Sequence, residues 1–408
     1  KRAEQQCSGN AKAVAIAQTA YVEAQRRDFA AMTSTFSTFF QQYGHVPTDT
    51  STITATGFRS VYHYYAFLHY HTGDLAEAAQ GYIQALEVTP EEDVTRRINL
   101  TENLALMYQR MRDRDAAMRA YQRALNQTEQ LSSETDTYQR MRADLLFGLA
   151  GMQAELEAAG SPEVWQSVAA NLRESLALAP DPGTVSRANR LSALAEAHAN
   201  LGDIDTALSL STEALAEARA AESARTLAFL QHTHGGFLMM DGRLDAAALY
   251  LLRAVEAQPE RRYEDRRRVL QRVGLLHELR GDLSAAASYY QQATEAVEAY
   301  RSGLRATDWA AAAFSGWQTA YRGLARVQLA QNTPEDALQT LERTRARHLA
   351  DLRLEADVAH AMPPEQRVRY DSLTQVLQTV RSERSRTENP MRAIQLRRHE
   401  TEVIATRQ

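Results

Sequence analysis

A self-similar pattern recurring every 39 or 40 residues constrains this chain more than any other feature. Gly73-Asp74-Leu75 is followed by Ala78, Tyr82, Ala85, Leu86 and Pro90, and Gly202-Asp203-Ile204 by Ala207, Ala214 and Leu215. Gly242-Arg243-Leu244 leads to Ala247, Leu251, Ala254 and Pro259, and Gly281-Asp282-Leu283 to Ala286, Tyr290 and Ala293. A copy without the glycine runs through Asp113, Ala117, Tyr121, Ala124 and Leu125. Upstream of each turn a second comb recurs. It reads Tyr62, Tyr65, Ala66 and His69 in one copy, and Leu104, Ala105 and Tyr108 in the next. Later copies give Leu191, Leu194, Ala195 and His198, then His234, Gly235 and Leu238, then Leu270, Val273, Gly274 and His277.

Both combs have helical spacing and fill the long intervals between prolines, where a helix meets no interruption. No useful run of valine, isoleucine or threonine alternates with polar residues, so strands are not expected. The fragment Thr50–Thr56 is short, polar and closed by Gly57, and reads as a loop. Each unit is therefore a helix, a tight turn and a second helix. Glycine supplies the left-handed geometry that ends the first helix, and aspartate caps the second. The small residue in the first helix marks a close crossing, with larger side chains filling the space beside it. Neither helix can bury its apolar stripe alone, so each pair must stack on the next.

A small residue in helix one, Gly-Asp at the turn and Ala…Tyr/Leu…Ala in helix two together resemble the tetratricopeptide repeat (TPR) family. The resemblance implies an all-α fold, a right-handed TPR-like solenoid of helix-turn-helix repeats. The usual period is about 34, so the spacing here implies helices extended by about a turn. Five copies are clear, at roughly 59–92, 98–131, 188–221, 228–261 and 267–300. Degraded copies cover 138–180 and 308–350, and residues 11–43 read as a capping unit ending in Phe36, Phe39 and Phe40.

The expected division is a capping pair and loop at 1–58, the array at 59–352 and a long helical hairpin at 353–408. In that hairpin, Pro363-Pro364 opens a helix carrying Tyr370, Leu373, Val376, Leu377 and Val380. A second helix follows Asn389-Pro390 with Ile394, Leu396, Val403 and Ile404. The chain starts at a lysine and stops at Gln408 without a capping signal, so the natural protein is expected to extend at both ends.

Composition and motifs remove several functional classes. No segment approaches the ~18 consecutive apolar residues of a membrane helix. A net charge of -5 gives no electrostatic reason to bind nucleic acid or anionic lipid. A single cysteine, Cys7, excludes an internal disulfide and any multi-cysteine metal site. The chain lacks G-x-x-x-x-G-K, G-x-G-x-x-G, H-E-x-x-H and G-x-S-x-G. On a helix His69 and His71 point apart, so they do not share a metal. His69, His198, His234 and His277 fall on the comb and read as packed core histidines. Neither a metal nor a cofactor is expected, and the chain reads as non-catalytic.

What a repeat solenoid offers is a groove lined by the first helix of each pair, on the stripe opposite the packing comb. That stripe predicts His63, Phe67, Tyr70 and His71, then Asn99, Leu106 and Arg110, then Asn189, Glu196 and Asn200. It continues with Phe229, His232, Met239 and Met240, then Arg268, Gln271 and Glu278, and ends with Arg322 and Arg326. Asparagine can hold an extended peptide backbone, while Phe, Met and Tyr can seat side chains. The expected partner is a protein or peptide in this groove. The lysine-based clamp by which some TPR relatives hold a peptide carboxylate is absent, because lysine occurs only at Lys1 and Lys12.

The end of the array carries one further signature. Ala337-Leu338…Leu341-Glu342-Arg343…Arg345-Ala346-Arg347…Leu349…Asp351-Leu352, followed by the proline-started hairpin, resembles the end of the repeat array in bacterial CHAT proteins. The resemblance covers about 320–408. It implies a caspase-like protease domain beyond residue 408, in cis or as a partner, holding the catalytic histidine and cysteine. This chain would then be its sensor and scaffold. The other reading is a peptide-responsive regulator of signalling or transcription whose DNA-binding domain lies outside the sequence.

Overall fold

A computed structural model describes residues 15–43, 52–133, 135–156, 161–257, 263–302 and 314–343, with single positions at 372, 375, 376, 379 and 383. Apart from those single positions the hairpin expected at 353–408 lies outside the described residues, as do the segment Arg345–Leu352 and Cys7. Among the described residues every regular element is a helix.

The chain divides into two compact units between Ala179 and Pro180. The first contains α1 (15–25), α2 (Phe29–Tyr43), α3 (Thr52–Thr72), α4 (Leu75–Glu87), α5 (Val94–Arg110), α6 (Arg114–Thr128), α7 (Asp136–Leu156) and α8 (Pro162–Leu178). The second contains α9 (Val185–Asn200), α10 (Ile204–Ala220), α11 (Ala224–Met240), α12 (Leu244–Glu256), α13 (Tyr263–Leu279), α14 (Leu283–Ser302), α15 (Phe314–Ala330) and α16 (334–343). From α3 onward, odd-numbered helices are the first and even-numbered helices the second of each pair.

The turns are built as their sequence dictates. Gly73, Gly202, Gly242 and Gly281 all have φ between 77° and 90°, the left-handed region that favours glycine. Asp74, Asp113, Asp203 and Asp282 cap the following helix, each accepting a hydrogen bond from the backbone N–H three residues on. Three turns reach the same geometry without glycine, at Arg112 (φ 58°), Glu222 (φ 51°) and Asn332 (φ 62°). The helix pair α1–α2 uses the same device, with Arg27 left-handed and Asp28 accepting from the Ala31 N–H.

Close crossings fall on the predicted Gly235 and Gly274, and also on Gly148 and Gly323, which the comb does not include. A Cβ on Gly148 would lie 2.4 Å from the Tyr121 ring, and one on Gly235 2.6 Å from Leu251 Cγ. Tyr290 of α14 packs against two glycines, Gly274 of α13 and Gly323 of α15, at 2.9 and 2.4 Å from where a Cβ would stand. Buried side chains from successive pairs merge into shared clusters, one of them running from Tyr62 to Met152 in the first unit.

One expectation fails. Thr52–Thr56, read as part of a loop, is the first stretch of α3. Threonine and an internal glycine disfavour a helix by only tenths of a kcal/mol to about 1 kcal/mol each, which neighbouring helical turns can outweigh.

Candidate functional site

Within the second unit, each first helix also touches the next first helix, α9 on α11, α11 on α13 and α13 on α15, though far less extensively than it packs on its own partner. The second helices approach one another less closely. The first helices therefore form the more closely spaced wall of this unit, the one that carries the stripes expected to line a groove.

Those stripes follow helical spacing, with successive members three or four residues apart. On α9 the stripe is Asn189, Ala193, Glu196 and Asn200. On α11 it holds Phe229, His232, Gly236 and Met240, and on α13 Arg268, Arg272, Leu275 and Leu279. On α15 it holds Arg322, Arg326 and Leu329. Several large apolar side chains here are open to solvent: Phe229 is 51% exposed, Met240 61%, Leu279 55% and Leu329 56%.

At the middle of this wall three first helices converge on one guanidinium. Arg272 of α13 is half-buried, and its Nη1 donates to the backbone carbonyl of His232 on α11 at 3.0 Å. It lies against the backbone of Gly236, where a Cβ would stand 2.5 Å from Nη1. Glu196 of α9 is its electrostatic partner. Burial pushes the Arg272 pKa down, with Glu196 opposing. Protein crowding pushes the Glu196 carboxyl up, with Arg272 opposing. His232 is driven to about 3, first by burial and then by the charges of Arg272 and Arg268, so its imidazole is neutral at physiological pH.

The predicted residues distribute unevenly. Asn200 is exposed, and its side-chain amide donates to the backbone carbonyl of Glu196 at 2.8 Å, while Asn189 is half-buried on the same helix. Met239 packs partly into the core beside Leu238, leaving Met240 as the open methionine. Arg268 and Arg322 are exposed, and Arg322 donates to Gln318 at 2.9 Å. Arg326 forms a two-pronged ion pair with Glu278, at 2.5 and 2.7 Å. The Tyr290 hydroxyl also donates to Glu278, at 3.0 Å. Glu278 is therefore an anchor between α13 and α15, its pKa lowered chiefly by Arg326.

In the first unit the predicted positions are more tightly packed. His63 meets the Tyr82 ring edge-on at 5.9 Å, and its pKa is lowered by burial and by Arg96 and Arg59. Phe67 packs partly into the cluster around Phe36 and touches His71 at 4.3 Å. Tyr70 and Arg110 are brought together, the guanidinium lying 5.1 Å above the ring. Asn99 is exposed. Nearby Glu102 has a pKa raised to about 7 by burial and by Asp144.

Arg272, Gly236, Leu275 and Leu279 are absent from the predicted stripe. On α13 the predicted stripe takes in Gln271 and Glu278, whereas the side chain that reaches α11 is that of Arg272. The signal was the Arg268/Arg272 spacing of four, with Leu275 and Leu279 continuing it.

The comb histidines are not uniform either. Only His234 is fully buried, hydrogen-bonded through Nδ1 to Ser211 Oγ at 2.7 Å. His69, His198 and His277 are half-buried and face the capping aspartate five residues on, at 3.8, 3.0 and 3.5 Å. The His198–Asp203 contact is a hydrogen bond that ties the end of the first helix to the start of the second. A polar hollow on α6, lined by Arg119, Gln122, Arg123 and Asn126, belongs to a second helix and is separate from the inner wall. Among the described residues no group of three His, Cys, Asp or Glu is arranged to hold a metal ion, and no helix is long and apolar enough to cross a membrane.

A family model for the tetratricopeptide repeat matches residues 100–135, the stretch containing α6 and most of α5. The apo form of RapI is similar in structure, with a TM-score of 0.56 and 13% identity over 72% of this chain and all of that one. A Rap protein complexed with competence and sporulation factor aligns over 84% of this chain and 99% of its own, with 12% identity and a TM-score of 0.48. PilW, a type IV pilus biogenesis factor, aligns over 61% and 92%, with 17% identity and a TM-score of 0.43. No curated protein matches the sequence. The fold is thus an all-α, TPR-like solenoid of helix-turn-helix repeats. Of the CHAT-like signature, Ala337–Arg343 lie on α16 and the remainder falls outside the described residues.

Proposed function

We propose that this chain is a non-catalytic scaffold that captures an extended protein or peptide segment along the inner wall of its repeats. The observation that carries this reading is that Phe229, Met240, Leu279 and Leu329 on the first-helix stripes of the second unit are solvent-exposed and interleaved with arginines. Exposed apolar groups along one layer of helices, with polar groups between them, suit a ligand that alternates side chains and backbone. Site-specific photo-crosslinking tests it. A photoreactive residue at Phe229 should give discrete protein adducts in cell extract, while one at Leu249 on the second helix α12 should not. Equal labelling from both positions would refute groove binding.

The finer proposal is that the scaffold regulates a caspase-like protease of the CHAT type. It rests on the sequence resemblance over 320–408. Reading the native open reading frame beyond Gln408 tests it: an α/β segment with a histidine and a cysteine supports the link, and a stop codon without a neighbouring protease gene removes it.

A further inference from the structure

We infer that Arg272 reads an internal acidic side chain, Asp or Glu, of the segment held in the groove of the second unit. This rests on the groove-binding reading and specifies its ligand. Arginine has five N–H donors in a planar fork matched to a carboxylate. The Arg272 guanidinium spends one of them within the protein, on the His232 carbonyl. Its other donors have no hydrogen-bond partner among the described residues. Gly236 leaves the α11 backbone bare, and the guanidinium packs against it through Nη1, 2.5 Å from where a Cβ would stand.

Glu196 supplies the nearby negative charge but accepts no side-chain hydrogen bond among the described residues. It behaves as an incomplete counter-ion, its carboxyl displaced toward the protonated form by crowding. A ligand carboxylate arriving in the plane of the fork would make the two parallel hydrogen bonds that Glu196 does not. Charge complementarity favours an anion: Arg272 and the exposed Arg322 share this wall with Glu196, while Arg326 and Glu278 neutralise each other. The apolar groups settle how the acid is presented. Phe229 lies about one turn before His232 on α11, and Met240 about one turn after Gly236. Side-chain seats therefore exist on both sides of Arg272, as a chain running through the groove requires and a chain terminus does not.

The test uses the full chain and a library of N-acetylated, C-amidated nonapeptides with apolar residues flanking a central Glu. Each is paired with its central-Gln counterpart, and a third set carries Gln and a free C-terminal carboxylate. Fluorescence polarisation should show binders preferring Glu over Gln by about tenfold or more, the scale of a charge-assisted two-pronged contact. Arg272→Gln should abolish that preference and Arg272→Lys should lose most of it. Glu196→Gln should tighten Glu peptides several-fold by removing the competing anion. If Arg272→Gln does not fold, Gly236→Ala, which displaces the guanidinium, should lower the preference in the same direction. Binders indifferent to Glu and Gln, or a preference surviving Arg272→Gln, would overturn the inference and leave groove binding standing. So would a preference for the free terminus. A library without any binder also overturns it, and the Phe229 crosslinking result then decides whether groove capture falls too.

Discussion

Replacing His234 by glutamine should flatten the acid side of the protein's stability curve. His234 is 5% exposed, hydrogen-bonded to Ser211 and edge-on to Tyr250 at 4.6 Å. Burial first, and the charges of Arg243 and Arg219 second, lower its pKa to about 4, against about 6.5 in an unfolded chain. The folded state thus binds fewer protons between these values. Its contribution is fully present above about pH 6.5 and is lost as pH falls toward 4. At about 1.4 kcal/mol per unit, the loss between pH 7.5 and 4.5 is roughly 2.5 kcal/mol. Glutamine keeps a neutral hydrogen-bonding group in the site but does not titrate. Guanidinium unfolding followed by circular dichroism at both pH values would give the stability loss for each protein. The wild-type loss should exceed that of His234→Gln by about 2.5 kcal/mol, with the remaining titrating groups common to both. A difference below about 0.5 kcal/mol, within the usual spread of surface substitutions, would show that His234 is not held neutral by its surroundings.

Gly148→Ala should destabilise by roughly 1–3 kcal/mol, because its Cβ would collide with the buried Tyr121 ring; thermal melts report it, and an unchanged melting temperature would contradict the crossing geometry. Arg243 starts α12 without a side-chain cap hydrogen bond, so Arg243→Asp should stabilise by about 1 kcal/mol, measurable as a higher denaturant midpoint. Arg322→Glu should weaken partner capture with little change in melting temperature. Arg326→Glu should lower the melting temperature by setting two carboxylates together, and a compensating Glu278→Arg should recover part of the loss. If Arg322→Glu unfolds the protein, the inner and packed faces of α15 are wrongly assigned.

The turns were the most legible part of the sequence, because left-handed geometry and helix capping each favour a short list of residues. Gly202-Asp203 and Gly281-Asp282 can be read directly. Arg112 and Glu222 adopt the same backbone without any residue preference to announce it, and stacking on either side supplies what the turn lacks. Gln271 and Arg272 are adjacent and both polar, so the sequence alone does not say which of them reaches α11; the bare backbone of Gly236 there receives Arg272. Histidines on the comb looked alike because spacing records which face a residue occupies. Whether a ring ends against Ser211 or against a capping aspartate depends on how far along the helix it stands.

Tyr290 lies between Gly274 of the preceding helix and Gly323 of the following one, and so serves two repeats at once. This sets where such an array can be cut or spliced. Ending a shortened protein after α14 would strip Tyr290 of Gly323, the contact across the joint, and open an apolar notch at the new end. A graft that carries α13, α14 and α15 together takes the tyrosine with both of its glycines. The transferable module in this region is therefore three helices with an aromatic pin at the centre, although the repeat is written in the sequence as two.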